Sequence, residues 1–225
     1  MGILLGVYLF GSVARGDRDQ RSDVDLLAVV ADGEGKVDEQ EVVLHIPLDL
    51  RDLEPSVSWY GRQRLGQMFA NGELFAWHLY RETVPLFEAV PVIAELGEPT
   101  PYCDAALDVA SFEKILSGIP AQLRASPENA VYELGLVYVC LRNICMAASA
   151  MLCDRPDFSR YSPFHLKEVV DVPITMAEYD LAMTCRMAGQ RGLQPPQKVT
   201  QSQVLSIHDR LVSWVAGLRR RLESV

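Results

Sequence analysis

A chain of 225 residues, 49% apolar and 23% charged, suits one large domain or two small ones around a real core. It holds no run of about 18 uncharged apolar residues, so no membrane span is expected; the nearest candidate, 131–153, carries Glu133, Arg142 and Asn143 and reads as a buried helix. The net charge of −9 comes wholly from residues 1–100, which hold 17 acids against 8 Lys and Arg, while the rest holds 13 of each.

Such a field disfavours non-specific nucleic-acid binding, which needs cations to neutralise phosphates. It suits a cationic substrate, or a site that takes divalent cations before a polyphosphate; acidity serving only solubility is the plain alternative. The N-terminus lacks the basic stretch and cleavage site of a secretory signal. The five cysteines are odd in number and form no C-x-x-C pair. Neither disulfides nor a zinc site is expected, and a cytoplasmic location fits.

In chain order, Leu4 to Phe10 reads as a buried strand and Gly11 to Gly16 as a turn with a short helix. Val24 to Ala31 is a second strand, with Asp32 to Gly35 as a hairpin turn. Val42 to Leu50 reads as a third strand, interrupted by Pro47. A helix is expected from Pro55 to about Ala70, stopped by Asn71-Gly72, then a short helix over Leu74 to Tyr80 and a strand over Thr83 to Phe87. This is an α/β unit with a small mixed sheet, spanning 1–99.

Residues 100–225 read as an all-α helical bundle. Leu107, Ile115, Leu116, Ile119 and Leu123 carry helical spacing. Ser126-Pro127 opens a long helix to Cys153, and Ser162-Pro163 repeats that opening. Thr175 to Glu178 forms a capping box for a helix ending near Gly189 or Gly192. Gln194 to Gln203 reads as loop, and Ile207, Leu211, Trp214, Val215, Leu218 and Leu222 mark one face of a last helix.

The chemistry concentrates in residues 9–26. Asp23 and Asp25, two apart on a strand, share one face, and two such charges repel unless a cation lies between them. Oxygen-only donors on a small rigid element favour magnesium, which takes phosphates as further ligands. Asp49, flanked by Leu48 and Leu50, is the third acid if its strand neighbours the second, and three carboxylates suffice for two metal ions and an in-line phosphoryl displacement. Gly11 and Ser12 open a helix where a ligand can approach closely and amides attract phosphate.

G-S-x-A-R-G followed by S-D-x-D-L resembles the active-site motif of the DNA polymerase beta nucleotidyltransferase superfamily, and more narrowly its small prokaryotic members, minimal and antibiotic-modifying. The similarity covers roughly 3–90 and extends loosely to Leu48-Asp-Leu-Arg-Asp-Leu53 and Asn71-Gly-Glu-Leu-Phe75. It implies that Gly11 and Ser12 hold the triphosphate, with Ser22 and Arg15 in the same nucleotide-side motif, Arg15 chiefly as an anchor of the loop. Asp23, Asp25 and Asp49 would be the catalytic ligands of two Mg2+ ions. Glu41 and Asp52 are alternatives to Asp49, as is an incomplete site that binds nucleotide without turnover.

In antibiotic-modifying members a helical domain closes over the acceptor, and Glu133 is the residue to supply a general base; the other reading of Glu133 is dipole complementation. Arg142-Asn143 resembles the start of the HEPN ribonuclease motif, but Ala147, Ala148 and Ser149 stand where its histidine would. Arg142 is read instead as a buried arginine with a carboxylate partner or as a substrate contact. His45 and His165 are read as structural, and Trp59, Trp77 and Trp214 as core.

The implied reaction moves a nucleoside monophosphate, AMP from ATP, to a hydroxyl of a small molecule, aminoglycoside-like in charge. Protein modification of the toxin–antitoxin kind and a non-catalytic nucleotide- or partner-binding module are the alternatives. Nucleic acid and membrane are not expected partners, and a homodimer is left open.

Overall fold

The computed structural model describes residues 2–19, 22–33, 37–191 and 198–224. The chain forms two compact units, Met1–Cys103 and Asp104–Val225. The first holds a four-stranded mixed sheet with short helices, and the second is helical throughout its regular elements, as the sequence led us to expect.

In the first unit the elements run β1 (Leu4–Phe10), α1 (Gly11–Arg15), β2 (Val24–Val30), α2 (Glu39–Val43), β3 (Pro55–Gly61), α3 (Arg62–Ala70), α4 (Leu74–Glu82), β4 (Val84–Glu88) and α5 (Val92–Leu96). The sheet order is β3-β2-β1-β4; β1 is antiparallel to β2 and β4, and β2 is parallel to β3. Both faces are covered, which is why β1 and β2 are nearly continuous apolar runs. Tyr8, Phe10, Leu27 and Val29 pack with Leu65, Met68, Phe69 and Leu79 from α3 and α4. Val7, Leu9, Val24, Leu26 and Ala28 pack with Val42, Ile46 and Leu50.

The expected third strand at 42–50 is corrected. That segment is α2 followed by a 3-10 turn at Leu48–Leu50, and the strand lies later, at Pro55–Gly61. On a strand Val42, Leu44, Ile46, Leu48 and Leu50 would share a face, yet Leu44 is 70% and Leu48 77% exposed. The buried set Val42, Ile46, Leu50 recurs every four residues instead, a helical period. Asp38 caps α2, accepting from the Gln40 amide at 3.0 Å, with Glu39 and Glu41 complementing the dipole.

The helix expected from Pro55 begins only at Arg62. Pro55 takes the first position of β3, where its missing N–H is tolerated, and the β-forming run Val57 to Tyr60 extends the strand. The hairpin expected after β2 is likewise replaced by a crossover, since β2 and β3 are parallel. Glu34 and Gly35 of that expected turn lie outside the described residues. Asp32 serves another purpose: its carboxylate accepts from the Gln63 amide at 2.9 Å, capping α3.

The second unit runs α6 (Ala105–Ala125), α7 (Ala130–Leu152), α8 (Ser162–Leu166), α9 (Met176–Arg191) and α10 (Gln201–Leu222). Ser126-Pro127 leads into a 3-10 turn at Pro127–Asn129 rather than directly into α7. The capping box at Thr175 forms, with Glu178 Oε2 accepting from the Thr175 amide at 3.0 Å and the Glu178 amide donating to Thr175 Oγ1 at 3.2 Å. A second box, at Thr200 and Gln203, opens α10 within the segment read as loop, of which 194–197 lie outside the described residues.

Helix α7 is long and apolar enough to cross a membrane, but it is mostly buried as the core helix of this unit. At Gly135 a Cβ would lie 2.9 Å from Arg186 Cα, so the missing side chain lets α7 and α9 approach closely. All five cysteines are free, and burial pushes the Cys140 thiol up to about 12, which suits packing rather than reactivity.

Candidate active site

The N-terminal end of β2 carries the carboxylate pair. Val24 and Leu26 are fully buried, while Asp23 and Asp25, on the opposite face, are partly exposed. Asp25 lies across from Phe10 of β1 and from Ser56 of β3.

Gly11 follows Phe10 directly, with φ at +73°, a region that side chains disfavour. A Cβ on Gly11 would stand 2.4 Å from Asp25 Oδ2, so only glycine lets the turn close on that carboxylate. Helix α1 begins here with no side-chain cap on its opening amides. It ends in the left-handed Gly16, with Gly16 N donating to Val13 O (3.2 Å) and Asp17 N to Ser12 O (3.1 Å). The turn, the helix start and the second aspartate therefore meet at one point.

Asp49 does not lie on the strand beside β2. It sits, exposed, on the 3-10 turn, and the strand that neighbours β2 holds Ser56 and Ser58 where a facing acid was expected. Among the described residues no three His, Cys, Asp or Glu side chains are gathered closely enough to hold a metal ion. The acid nearest to Asp23 in the strand register is Glu54. Its carbonyl accepts from the Val24 amide at 2.9 Å, extending the parallel pairing one residue beyond β3, level with Asp23. The sequence does not single out Glu54, because a helix reads from Pro55 onward. The β-forming run behind that proline was the signal.

Arg15 is an anchor. Its Nη1 donates to Glu82 Oε2 at 2.6 Å and its Nε to Asp17 Oδ2 at 3.2 Å. Burial opposes its charge, but Glu82 and Asp17 outweigh that and hold the proton more firmly than usual. His78 Nε2 donates to the same Glu82 oxygen at 2.8 Å and packs edge-on to Phe10. Ser22, placed on the nucleotide side by the motif, spends its hydroxyl within its own loop: it accepts from the Asp19 amide at 3.0 Å and donates to Asp19 Oδ1 at 3.2 Å.

In the helical unit Glu133 is 3% exposed and its Oε2 meets no donor. Burial pushes its carboxyl above the usual carboxylate range. A folded-state value above the unfolded one means that the native protein binds the proton more tightly. This group therefore lowers stability at neutral pH, and the penalty disappears as pH falls through its folded pKa towards the unfolded value of about 4.3. Glu133→Gln is expected to raise the melting temperature at pH 7 by about 2–4 °C, the gain vanishing near pH 4. Thermal melts across that range check it; a lower melting temperature at pH 7 would contradict the unpaired carboxylate.

Arg142 gives Nη2 to the Phe158 carbonyl at 3.1 Å, while its Nε has no partner. His45 stacks on Phe87, and His165 donates from Nδ1 to Asp157. Trp77 bonds the Thr100 carbonyl at 3.0 Å, whereas Trp59 is 39% exposed rather than core.

A carboxylate pair with only oxygen donors stands beside an uncapped helix start and a glycine turn, the donor chemistry that hard cations and phosphates take. Comparison with known proteins narrows that class. Residues 4–70 match the family model of the nucleotidyltransferase domain, so the first unit carries a nucleotidyltransferase domain. A spectinomycin adenyltransferase from Enterococcus faecialis, solved with ATP and spectinomycin, is similar in fold, with a TM-score of 0.51 at 12% identity over 98% of this chain and 92% of that one. A nucleotidyltransferase-like protein from Exiguobacterium sibiricum aligns over 97% of this chain and 69% of its own length, with 17% identity and a TM-score of 0.38. None of the curated proteins compared with the chain matches it.

Proposed function

We propose that the protein transfers AMP from ATP to a hydroxyl of a small, cationic, aminoglycoside-like acceptor in a magnesium-dependent reaction. The observation that carries this reading is the closure of the Gly11 turn on Asp25, with room for no side chain between them. The acceptor class rests on the acid excess of residues 1–100 and on the adenyltransferase whose fold likeness extends over both units.

Asp23 and Asp25 are the metal ligands, and Glu54 takes the third-carboxylate role first given to Asp49. The amides of Gly11 and Ser12 hold the phosphates. Bound magnesium supplies Lewis-acid stabilisation of the charge that develops on the phosphate oxygens. The acceptor oxygen bonds to the α-phosphorus as the bond to the bridging oxygen breaks; pyrophosphate leaves with that electron pair, and the hydroxyl proton passes to a carboxylate.

ATP binding tests the metal assignment. Calorimetry is expected to show affinity in magnesium that falls about tenfold or more in chelator. Equal affinity in both would overturn it.

A further inference from the structure

Glu82 lies 67 residues from Arg15 in sequence, yet one of its oxygens, Oε2, receives both Arg15 Nη1 at 2.6 Å and His78 Nε2 at 2.8 Å. The three side chains are largely enclosed: Glu82 is 11% exposed, His78 10% and Arg15 21%. Arg15 ends α1, and through Nε it also holds Asp17, just past the left-handed Gly16. The helix has only five residues and no side-chain cap, so little of its own bonding fixes it.

At its other end Gly11 lies so close to Asp25 that a Cβ there would stand 2.4 Å from Oδ2. The chain from Gly11 to Asp17 is thus pinned at one end by β1 and at the other by a single buried carboxylate on α4. His78 completes the clamp by packing edge-on to Phe10 with ring centroids 5.4 Å apart, and Phe10 is the residue that opens α1.

We propose that Glu82 is a positioning residue for the nucleotide site, holding the Gly11–Ser12 turn in place through Arg15, with His78 as its second donor. The charge of Arg15 is thereby consumed inside the protein and serves the site through geometry, not by contact with phosphate. This rests on the reading of the Gly11–Ser12 turn as the triphosphate site.

The test is calorimetric binding of Mg-ATP at a temperature well below melting, so that only folded protein is measured. Glu82→Gln keeps the side chain's size and is expected to weaken binding about tenfold. Arg15→Gln should do the same, and the double variant should bind no more weakly than Arg15→Gln alone, because the two act as one unit. Arg15→Lys, which keeps the charge but reaches only one of the two acids, should fall between. Variants that melt earlier but bind Mg-ATP like the wild type would show a role in stability only and overturn the proposal, as would additive losses in the double variant. Wild-type protein that binds no Mg-ATP would sink the nucleotide reading itself and this proposal with it, an outcome distinguishable from the other two.

Discussion

Alanine at Asp25 is expected to reduce nucleotidyl transfer by a factor on the order of a thousand or more, with the fold retained. The size follows from the role: a ligand that fixes the charge-stabilising ion acts only as charge develops in the transition state, and such groups carry several kcal/mol. The fold should survive because Asp25 lies on the partly exposed end of β2, while the buried residues Val24, Leu26 and Leu27 that hold the strand are untouched. Removing one of two like charges on a strand face also relieves their repulsion. Asp23→Ala should behave alike, and Asp49→Ala, on an exposed turn, should leave activity near wild type. Steady-state rates with thermal melts decide; an active Asp25→Ala would end the metal assignment.

Gly11→Ala should be nearly as damaging, through geometry alone. The new methyl would meet Asp25 Oδ2 at 2.4 Å and would sit at φ +73°. The backbone conformation costs about 1–2 kcal/mol, and the clash forces either the turn or the carboxylate to shift. A displacement of about 1 Å at a reacting centre is enough for a loss near a hundredfold. Gly16→Ala is the matched control: its φ is +78°, yet nothing lies within 4 Å of its Cβ. It carries the same backbone penalty without the clash, so it should melt earlier but keep its activity. Equal activity losses in both variants would mean that strain in α1, not the approach to Asp25, is what matters.

The half of the site that was legible in the sequence is the half built from neighbours. Strand β1, the glycine turn and β2 lie within 27 residues, as apolar runs bounded by Gly11 and by the aspartate pair. The segment that carries Asp49 reads as a strand because Leu44 and Leu48 mimic strand alternation beside Val42, Ile46 and Leu50; only burial separates the four-residue period from the two-residue one. Glu54 was hidden behind a proline whose role, first in a strand or first in a helix, depends on the partner strand. The Arg15–Glu82 contact joins positions 67 apart and has no local signature. The sequence reads Arg15 chiefly as an anchor of its loop, and the structure gives it ion pairs with Asp17 and Glu82. For Ser22 the motif suggested phosphate, and the loop itself uses the hydroxyl.

The most direct measurement is a crystal structure with Mn2+ and a non-hydrolysable ATP analogue, read by anomalous scattering. The account predicts manganese shared by the carboxylates of Asp23 and Asp25, with the analogue's phosphates against the amides of Gly11 and Ser12. Manganese bound elsewhere, or phosphates away from that turn, would contradict it.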